Sequence, residues 1–196
     1  GLNEKGKTLV QKAIPEIRRL SELADDLLVL NSIEESGELA LEVAVEPVEV
    51  KEIVDRAVDA ITPMANLKNI GIEYEAKFES TVVADPARSI QILVNLLSNA
   101  VKFSPENSTI QLEEEIKDNM VKIIVSDQGR GISQEDSHKV FARFDQMSKA
   151  DQNKGSGLGL FISKNLAEPQ SGELDFTATV GFGTRFWLAL PESKKE

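Results

Sequence analysis

One stretch, QILVNLLSNAVKFS at residues 91–104, constrains the fold more than any other part of the chain. Wound at helical pitch, it places Asn95, Asn99 and Lys102 four and three residues apart, on a single face. Ile92, Leu93, Leu96, Leu97, Ala100 and Val101 cover most of the rest. A helix so coated must be largely buried, and its two amides and one ammonium then need partners. A carboxamide oxygen can bind a hard divalent cation, and an ammonium can meet a phosphate. Taken alone, the same pattern also fits an amphipathic helix with a solvated edge.

The flanks set the limits of this helix. Asp85-Pro86 reads as an N-cap followed by proline in the first turn, and Phe103-Ser104-Pro105 ends it. Upstream, residues 7–36 carry Val10, Ala13, Ile17, Leu20, Ala24 and Leu27 at steps of three and four, a heptad seam. Ile14, Leu23, Leu28 and Leu30 widen the apolar face, so this helix needs a hairpin mate or a second copy. It reads either as a dimer interface or as a helix packed on its own domain. Pro15 predicts a kink or a weak early turn, and Gly37 a stop. Leu39, Leu41, Val43 and Val45 alternate as a strand that Pro47 breaks, and helical spacing returns over 48–66. Strands are predicted around Ile70–Tyr74 and at Thr81–Ala84.

After the central helix, residues 109–116 and 120–126 form a hairpin through Lys117-Asp118-Asn119. Residues 133–156 are polar and irregular apart from a short helix predicted at VFARF, 140–144; so long a loop in a compact domain is usually functional. A helix follows over 157–168, stopped by Pro169. Strands at 173–180 and 184–190 close the chain around Gly181 and Gly183, and the tail 192–196 is predicted to be disordered. Strands and helices alternate irregularly, with a hairpin among them. The fold class is therefore α+β: a two-layer α/β sandwich in which helices cover one face of a mixed sheet, preceded by one long helix.

Three glycine groups follow the central helix. Asp127-Gln128-Gly129-Arg130-Gly131-Ile132 comes directly after a strand, where tight turns could hold a carboxylate toward an exocyclic amine; an ordinary turn with a solvated Asp fits as well. Gly155-Ser156-Gly157-Leu158-Gly159-Leu160 opens a helix, where free N–H groups and the positive helix end suit phosphates. It is neither the dinucleotide fingerprint, whose spacing differs, nor a Walker loop, which needs a following Lys-Ser/Thr pair. Gly181-Phe182-Gly183-Thr184 could simply be a hairpin turn.

Composition removes several function classes. The 196 residues carry a formal charge of −11 with lysines and arginines scattered, so no nucleic-acid track is present. Without cysteine there is neither a disulfide framework nor a thiolate metal site. No apolar run is long enough to span a membrane, and no signal peptide is visible, so no membrane contact is expected and a cytoplasmic location is, although a longer parent could be membrane-anchored. The first residue is Gly1, which suggests a piece of a longer protein.

Together these segments resemble the ATP-binding domain of sensor histidine kinases, within the broader Bergerat-fold ATPase superfamily. NLLSNAVKFS resembles the family's N box, DQGRGI its first glycine box, VFARFDQ its phenylalanine box, GSGLGL its second glycine box and GFGTRF its third, in the family's order. Residues 1–38 are similar to the second helix of the dimerisation and phosphotransfer domain, and 39–191 to the catalytic domain. The resemblance implies ATP and Mg²⁺ as ligands. Asn99 would hold the metal, Asn95 would support the phosphate side and Lys102 would contact phosphate. Asp127 would read the adenine amine, with Gly129, Gly131 and Ile132 shaping that wall and Thr184 near the base. Residues 133–154 would form a lid, anchored by Phe141 and Phe144, with Arg143 reaching a phosphate. Lys154, Gly155, Ser156, Gly157, Leu158, Gly159 and Leu160 would close on the triphosphate. Implied partners are a response regulator receiver domain, a histidine-bearing helix of the parent kinase, and a second copy through the N-terminal helix.

Two departures matter. Hydrolysing relatives place a Glu general base four residues before the metal-binding Asn; here that position is Asn95, which favours transfer to a protein over hydrolysis. The only histidine, His138, lies in the lid region and not on a dimerisation helix. The acceptor is thus expected outside this chain, and autophosphorylation of the chain alone is not expected. The competing reading is a pseudokinase or interaction module that keeps the fold and signals through dimer contacts. A smaller departure, Ala167-Glu168-Pro169-Gln170-Ser171-Gly172 in place of the family's His-Gly-Gly ending, is expected to have no consequence for nucleotide.

Overall fold

The computed structural model describes residues 43–144 and 157–193, together with Gly6, Ala24, Leu27, Leu28, Leu30 and Asn31. Of the long helix expected over 7–36, the described residues are all helical. Leu30 is buried in the main core while Leu27 and Leu28 are exposed. The rest of that helix, the predicted strand residues 39–42, and Lys154, Gly155 and Ser156 lie outside the described residues.

The chain then runs β1 (Glu46–Glu49), α1 (Val50–Asn66), β2 (Gly71–Tyr74), β3 (Thr81–Ala84) and α2 (Pro86–Phe103). It continues through β4 (Thr109–Lys117), β5 (Met120–Ser126), α3 (Gln134–Ser137), α4 (Gly159–Ala167), a 3₁₀ turn (Glu168–Gln170), β6 (Glu173–Thr179) and β7 (Gly183–Pro191). The first strand corrects the sequence expectation. Residues 43–45 have no regular structure, and the strand starts at Glu46 with Pro47 inside it. Proline is tolerated there because β1 pairs with β3 alone, in a two-stranded antiparallel sheet, so its missing N–H need not break a ladder bond.

The larger sheet has five strands in the order β2-β4-β5-β7-β6, with β2 parallel to β4 and every other pair antiparallel. The β4–β5 turn places Asp118 and Asn119 at φ 53° and 60°, the left-handed pair that a tight hairpin demands. Period-two alternation then puts Ile110 and Leu112, Val121, Ile123 and Val125, and Phe186, Leu188 and Leu190 on one face, all buried. Against that face pack the apolar sides of α1 (Val50, Ile53, Val54, Ala57, Ile61), α2 (Ile92, Leu93, Leu96, Leu97) and α4 (Ile162, Leu166). Each fully buried leucine contributes about 2 kcal/mol by removal of apolar area from water.

The central helix is held at both ends. Asp85 Oδ1 accepts from the Arg88 N–H at 3.0 Å, and Pro86 fills the first turn. At the other end Lys68 Nζ donates to the carbonyls of Val101, Lys102 and Ser104 at 2.7, 3.2 and 2.7 Å. An ammonium at a helix C-terminus satisfies orphan carbonyls and opposes the negative end of the dipole. Ser104 turns extended before Pro105, as a residue preceding proline must.

Two further expectations are corrected. The helix predicted at 140–144 is a run of turns instead. The Ala142 N–H donates to the Lys139 carbonyl at 2.8 Å, and Phe144 takes φ 61°, a conformation no α-helix accepts. Ordered structure also continues past residue 191, since Glu192 bridges Val82 and the Ser193 N–H donates to the Thr81 carbonyl at 2.8 Å.

Candidate functional site

Helix α2 delivers its polar face to one edge of the core. Six of its apolar residues are buried as the pattern requires (Ile92, Leu93, Leu96, Leu97, Ala100 and Val101), while Asn95, Asn99 and Lys102 are half-buried along the remaining face. Asn95 is fastened: its Nδ2 donates to Ser163 Oγ on α4 at 2.9 Å. The side chains of Asn99 and Lys102 have no hydrogen-bond or ion-pair partner among the described residues. A half-buried amide oxygen and an ammonium one turn apart, both unengaged, suit a hard cation and an anion.

Beyond the C-terminal end of α2 stands Asp127, the residue after β5. Its Oδ1 accepts from the N–H groups of Gly129 at 2.7 Å and Thr184 at 3.3 Å. Its own N–H donates to the Thr184 carbonyl at 2.9 Å, tying the first glycine turn to β7. Oδ2 has no donor among the described residues, which leaves one carboxylate oxygen to accept from a ligand amine. Burial pushes the Asp127 carboxyl above the ordinary range, opposed by the two backbone N–H donors.

The glycines around Asp127 are forced by close backbone approach. A Cβ on Gly131, at φ +72°, would stand 2.1 Å from the Thr179 carbonyl oxygen, and one on Gly183, at φ +100°, 1.9 Å from that of Asp127. A Cβ on Gly129 would meet the Phe103 carbonyl oxygen at 3.0 Å, so the α2 terminus and this turn are in contact. Arg130 lies over the Phe103 ring with 5.6 Å to its centroid, Gly181 N–H donates to the Arg130 carbonyl at 2.7 Å, and Ile132 is buried behind the turn. Thr184 is buried at the start of β7.

On the opposite side, α4 begins at Gly159, with Leu158 buried and Gly157 and Leu160 half-buried. A Cβ on Gly159 would lie 2.4 Å from Asn95 Oδ1, so this glycine admits the Asn95 amide between the two helices. The phenylalanine segment divides its roles. Phe141 packs edge-on against Phe176 at 5.8 Å, with Lys164 Nζ 5.1 Å from its centroid. Phe144 is exposed, with Arg143 5.1 Å from its ring centroid, so it is no buried anchor. Its backbone instead joins Gly157, the Phe144 N–H donating to the Gly157 carbonyl at 3.1 Å. His138 is exposed at the C-cap of α3.

Three contributors escape sequence inspection: Lys68 at the α2 terminus, Ser163 on Asn95, and Gln170. Buried Gln170 accepts through Oε1 from the Asp85 N–H at 2.8 Å and Ser89 Oγ at 3.1 Å, and donates to the Leu166 carbonyl at 2.7 Å. It binds the start of α2 to the end of α4. Among the described residues no cluster of three or more His, Cys, Asp or Glu side chains could hold a metal by itself.

Residues 84–194 match the family model described as histidine kinase-, DNA gyrase B-, and HSP90-like ATPase. The chain is similar to the sensor histidine kinase GacS of Pseudomonas protegens, 33% identical over 196 residues that cover 93% of this chain and 21% of that protein. It is also similar to the sensor-like histidine kinase SenX3 of Mycolicibacterium smegmatis, 29% identical over 188 residues covering 95% of this chain and 48% of SenX3. Among solved structures, full-length ShkA in complex with AMPPNP aligns with a TM-score of 0.80 and 27% identity, over 100% of this chain and 40% of ShkA. The chain therefore spans about a fifth to a half of the length of these three proteins.

Proposed function

Because the chain belongs to the histidine kinase-, DNA gyrase B-, and HSP90-like ATPase family, as the ATP-binding catalytic domain of a sensor histidine kinase, we propose that the cleft between α2, the Asp127 turn and α4 binds Mg-ATP for phosphoryl transfer to a histidine outside this chain. The observation that carries this reading is a set of polar groups with no partner among the described residues, along the polar face of α2 and at the turn beyond its end: the Asn99 amide, the Lys102 ammonium and Asp127 Oδ2.

Each group has a role suited to its chemistry. Asp127 Oδ2 accepts from the adenine amine, against the wall of Gly129, Gly131, Ile132 and Thr184. Lys102 pairs with phosphate, and Asn95 supports that end. Asn99 offers an amide oxygen to Mg²⁺; with no carboxylate cluster beside it among the described residues, the cation would take its remaining ligands from phosphate oxygens and water, as Mg²⁺ commonly does. Bound there, the metal supplies charge neutralisation of the triphosphate, which phosphoryl transfer needs together with alignment. Residues 133–154, with Arg143, Phe141 and Phe144, serve as a cover, and Lys154, Gly155, Ser156, Gly157, Leu158, Gly159 and Leu160 close on the phosphates.

Asn95 stands where hydrolysing relatives carry a base, and a carboxamide cannot take a proton from water. Transfer to protein is favoured on that ground. The parent kinase would provide the histidine-bearing helix, a second copy paired through the N-terminal helix, and a receiver domain as onward acceptor. Titration calorimetry with ATP, with and without Mg²⁺, tests the reading. Binding strengthened by Mg²⁺ is expected; absence of binding at millimolar nucleotide rejects it in favour of a module that signals through contacts alone.

A further inference from the structure

We propose that Ser163 is a positioning residue that holds the Asn95 carboxamide in one orientation, oxygen toward the first turn of α4, and so sets what that amide offers the phosphate end of the cleft. The proposal deepens the Mg-ATP reading above and rests on it for its functional half.

A primary carboxamide has a donor end and an acceptor end of nearly equal size, and the two ends suit opposite ligands. An amide free to rotate would present either one. Here Asn95 Nδ2 donates to Ser163 Oγ at 2.9 Å, and Ser163 is 2% exposed, so its hydroxyl competes little with water. A hydroxyl could engage either end of the amide. The choice is made on the other side. Asn95 Oδ1 occupies the space where a Cβ on Gly159 would stand 2.4 Å away, while Nδ2 would be 3.1 Å from that point. Gly159 is the first residue of α4, whose positive end favours an oxygen over N–H groups. Ser163, one turn further on, therefore takes the nitrogen, and Gly159 supplies the room. Fixed in this way, Asn95 joins α2 to the helix that opens the second glycine group, and its amide is ordered before nucleotide arrives. Pre-ordering of this kind raises affinity by removing a cost of binding.

Two measurements on the whole chain test it. Without nucleotide, the Asn95 side-chain amide protons in a nitrogen-15 spectrum should be distinct and protected in the wild type. In Ser163→Ala they should shift and exchange faster; unchanged signals overturn the proposal. With nucleotide, Ser163→Ala should weaken Mg-ATP binding by about tenfold, the scale of one hydrogen bond serving a charged ligand. AMP, which lacks the outer phosphates, should bind both proteins alike. In an Asn95→Ala background, Ser163→Ala should have no further effect, and Ser163→Thr, which keeps the hydroxyl, should stay near wild type. Equal weakening of ATP and AMP, or an undiminished effect in the Asn95→Ala background, overturns it. If the wild type binds no Mg-ATP, the Proposed function fails instead, and the spectrum still decides the placement of the amide.

Discussion

The Gly183 Cα lies so close to Asp127 that a side chain there would put its Cβ 1.9 Å from the Asp127 carbonyl oxygen. The two are also linked through the next residue, whose N–H and carbonyl both bond to Asp127. The third glycine group is thus the back wall of the carboxylate, and not merely a turn between closing strands.

Gly183→Ala should therefore be among the most damaging single changes. It combines a φ of +100° with a backbone collision, and a loss of about 3 kcal/mol or more is expected from strain and displacement together. Gly181 provides the control: its φ is +82°, but nothing lies within 4 Å of a Cβ placed there. Gly181→Ala should cost only the left-handed penalty, about 1 kcal/mol. Urea unfolding of the two variants checks the contrast, and similar losses for both would contradict the close approach.

Asn99→Ala tests the cation end. The side chain is half-buried and has no partner among the described residues, so its removal should change unfolding stability by less than about 0.5 kcal/mol. The gain in ATP affinity that Mg²⁺ confers should disappear, while metal-free ATP binds as before. Calorimetry with and without Mg²⁺ reads both. A large stability loss would place Asn99 in the structural framework and not at the ligand.

His138 is exposed at the cap of a short helix in the segment expected to form the lid, and not on the N-terminal helix. With radiolabelled ATP the chain should retain no acid-labile phosphate, and adding a histidine-bearing helix of the parent kinase should restore labelling of that helix. Label on His138 would show that the lid histidine is the acceptor.

What the sequence makes legible is local. Asp85 caps α2 through the residue three positions on, and Pro105 ends it; both signals lie within a few residues of what they control. The polar face of α2 and the alternation of β4, β5 and β7 follow from period alone. The misreadings have one origin. Val43 and Val45 alternate like a strand, but the partner β3 pairs from Glu46 onward, and no local pattern states where a partner begins. VFARF has helical composition, yet Phe141 is drawn onto Phe176 and Phe144 turns left-handed to reach Gly157. Lys68, Ser163 and Gln170 each act on at least one group 33 or more residues away, so their neighbours in sequence give no sign of that work.

Gln170 illustrates that blindness and carries its own prediction. The AEPQSG segment, a departure expected to leave nucleotide contacts untouched, places a buried amide between α4 and the start of α2. Gln170→Leu would keep the volume and remove every bond. It would strand the buried Asp85 N–H and Ser89 hydroxyl, and a loss of about 2–4 kcal/mol is expected. A stability change under about 1 kcal/mol would show that water replaces the amide.

Asp127 offers a test in pH whose sign follows from its raised carboxyl pKa. The folded state holds the proton more tightly than the unfolded chain does, because burial disfavours the carboxylate. This group therefore favours folding most below its unfolded pKa, and that contribution is lost as pH rises through the folded value. Asp127→Asn, which cannot ionise, should melt at a higher temperature than wild type near neutral pH, and the difference should close as the solution is acidified below about pH 4. Function moves the opposite way. Only the carboxylate is purely an acceptor, so wild-type ATP affinity should fall on acidification through the raised pKa. In Asp127→Asn, affinity should be weak and should lack the fall at the raised Asp127 pKa, and preference for ATP over GTP should shrink. Thermal melts and calorimetry across the acid range measure both. A variant less stable than wild type at neutral pH would overturn the raised pKa, and one that still prefers ATP would remove Asp127 from the role of purine reader.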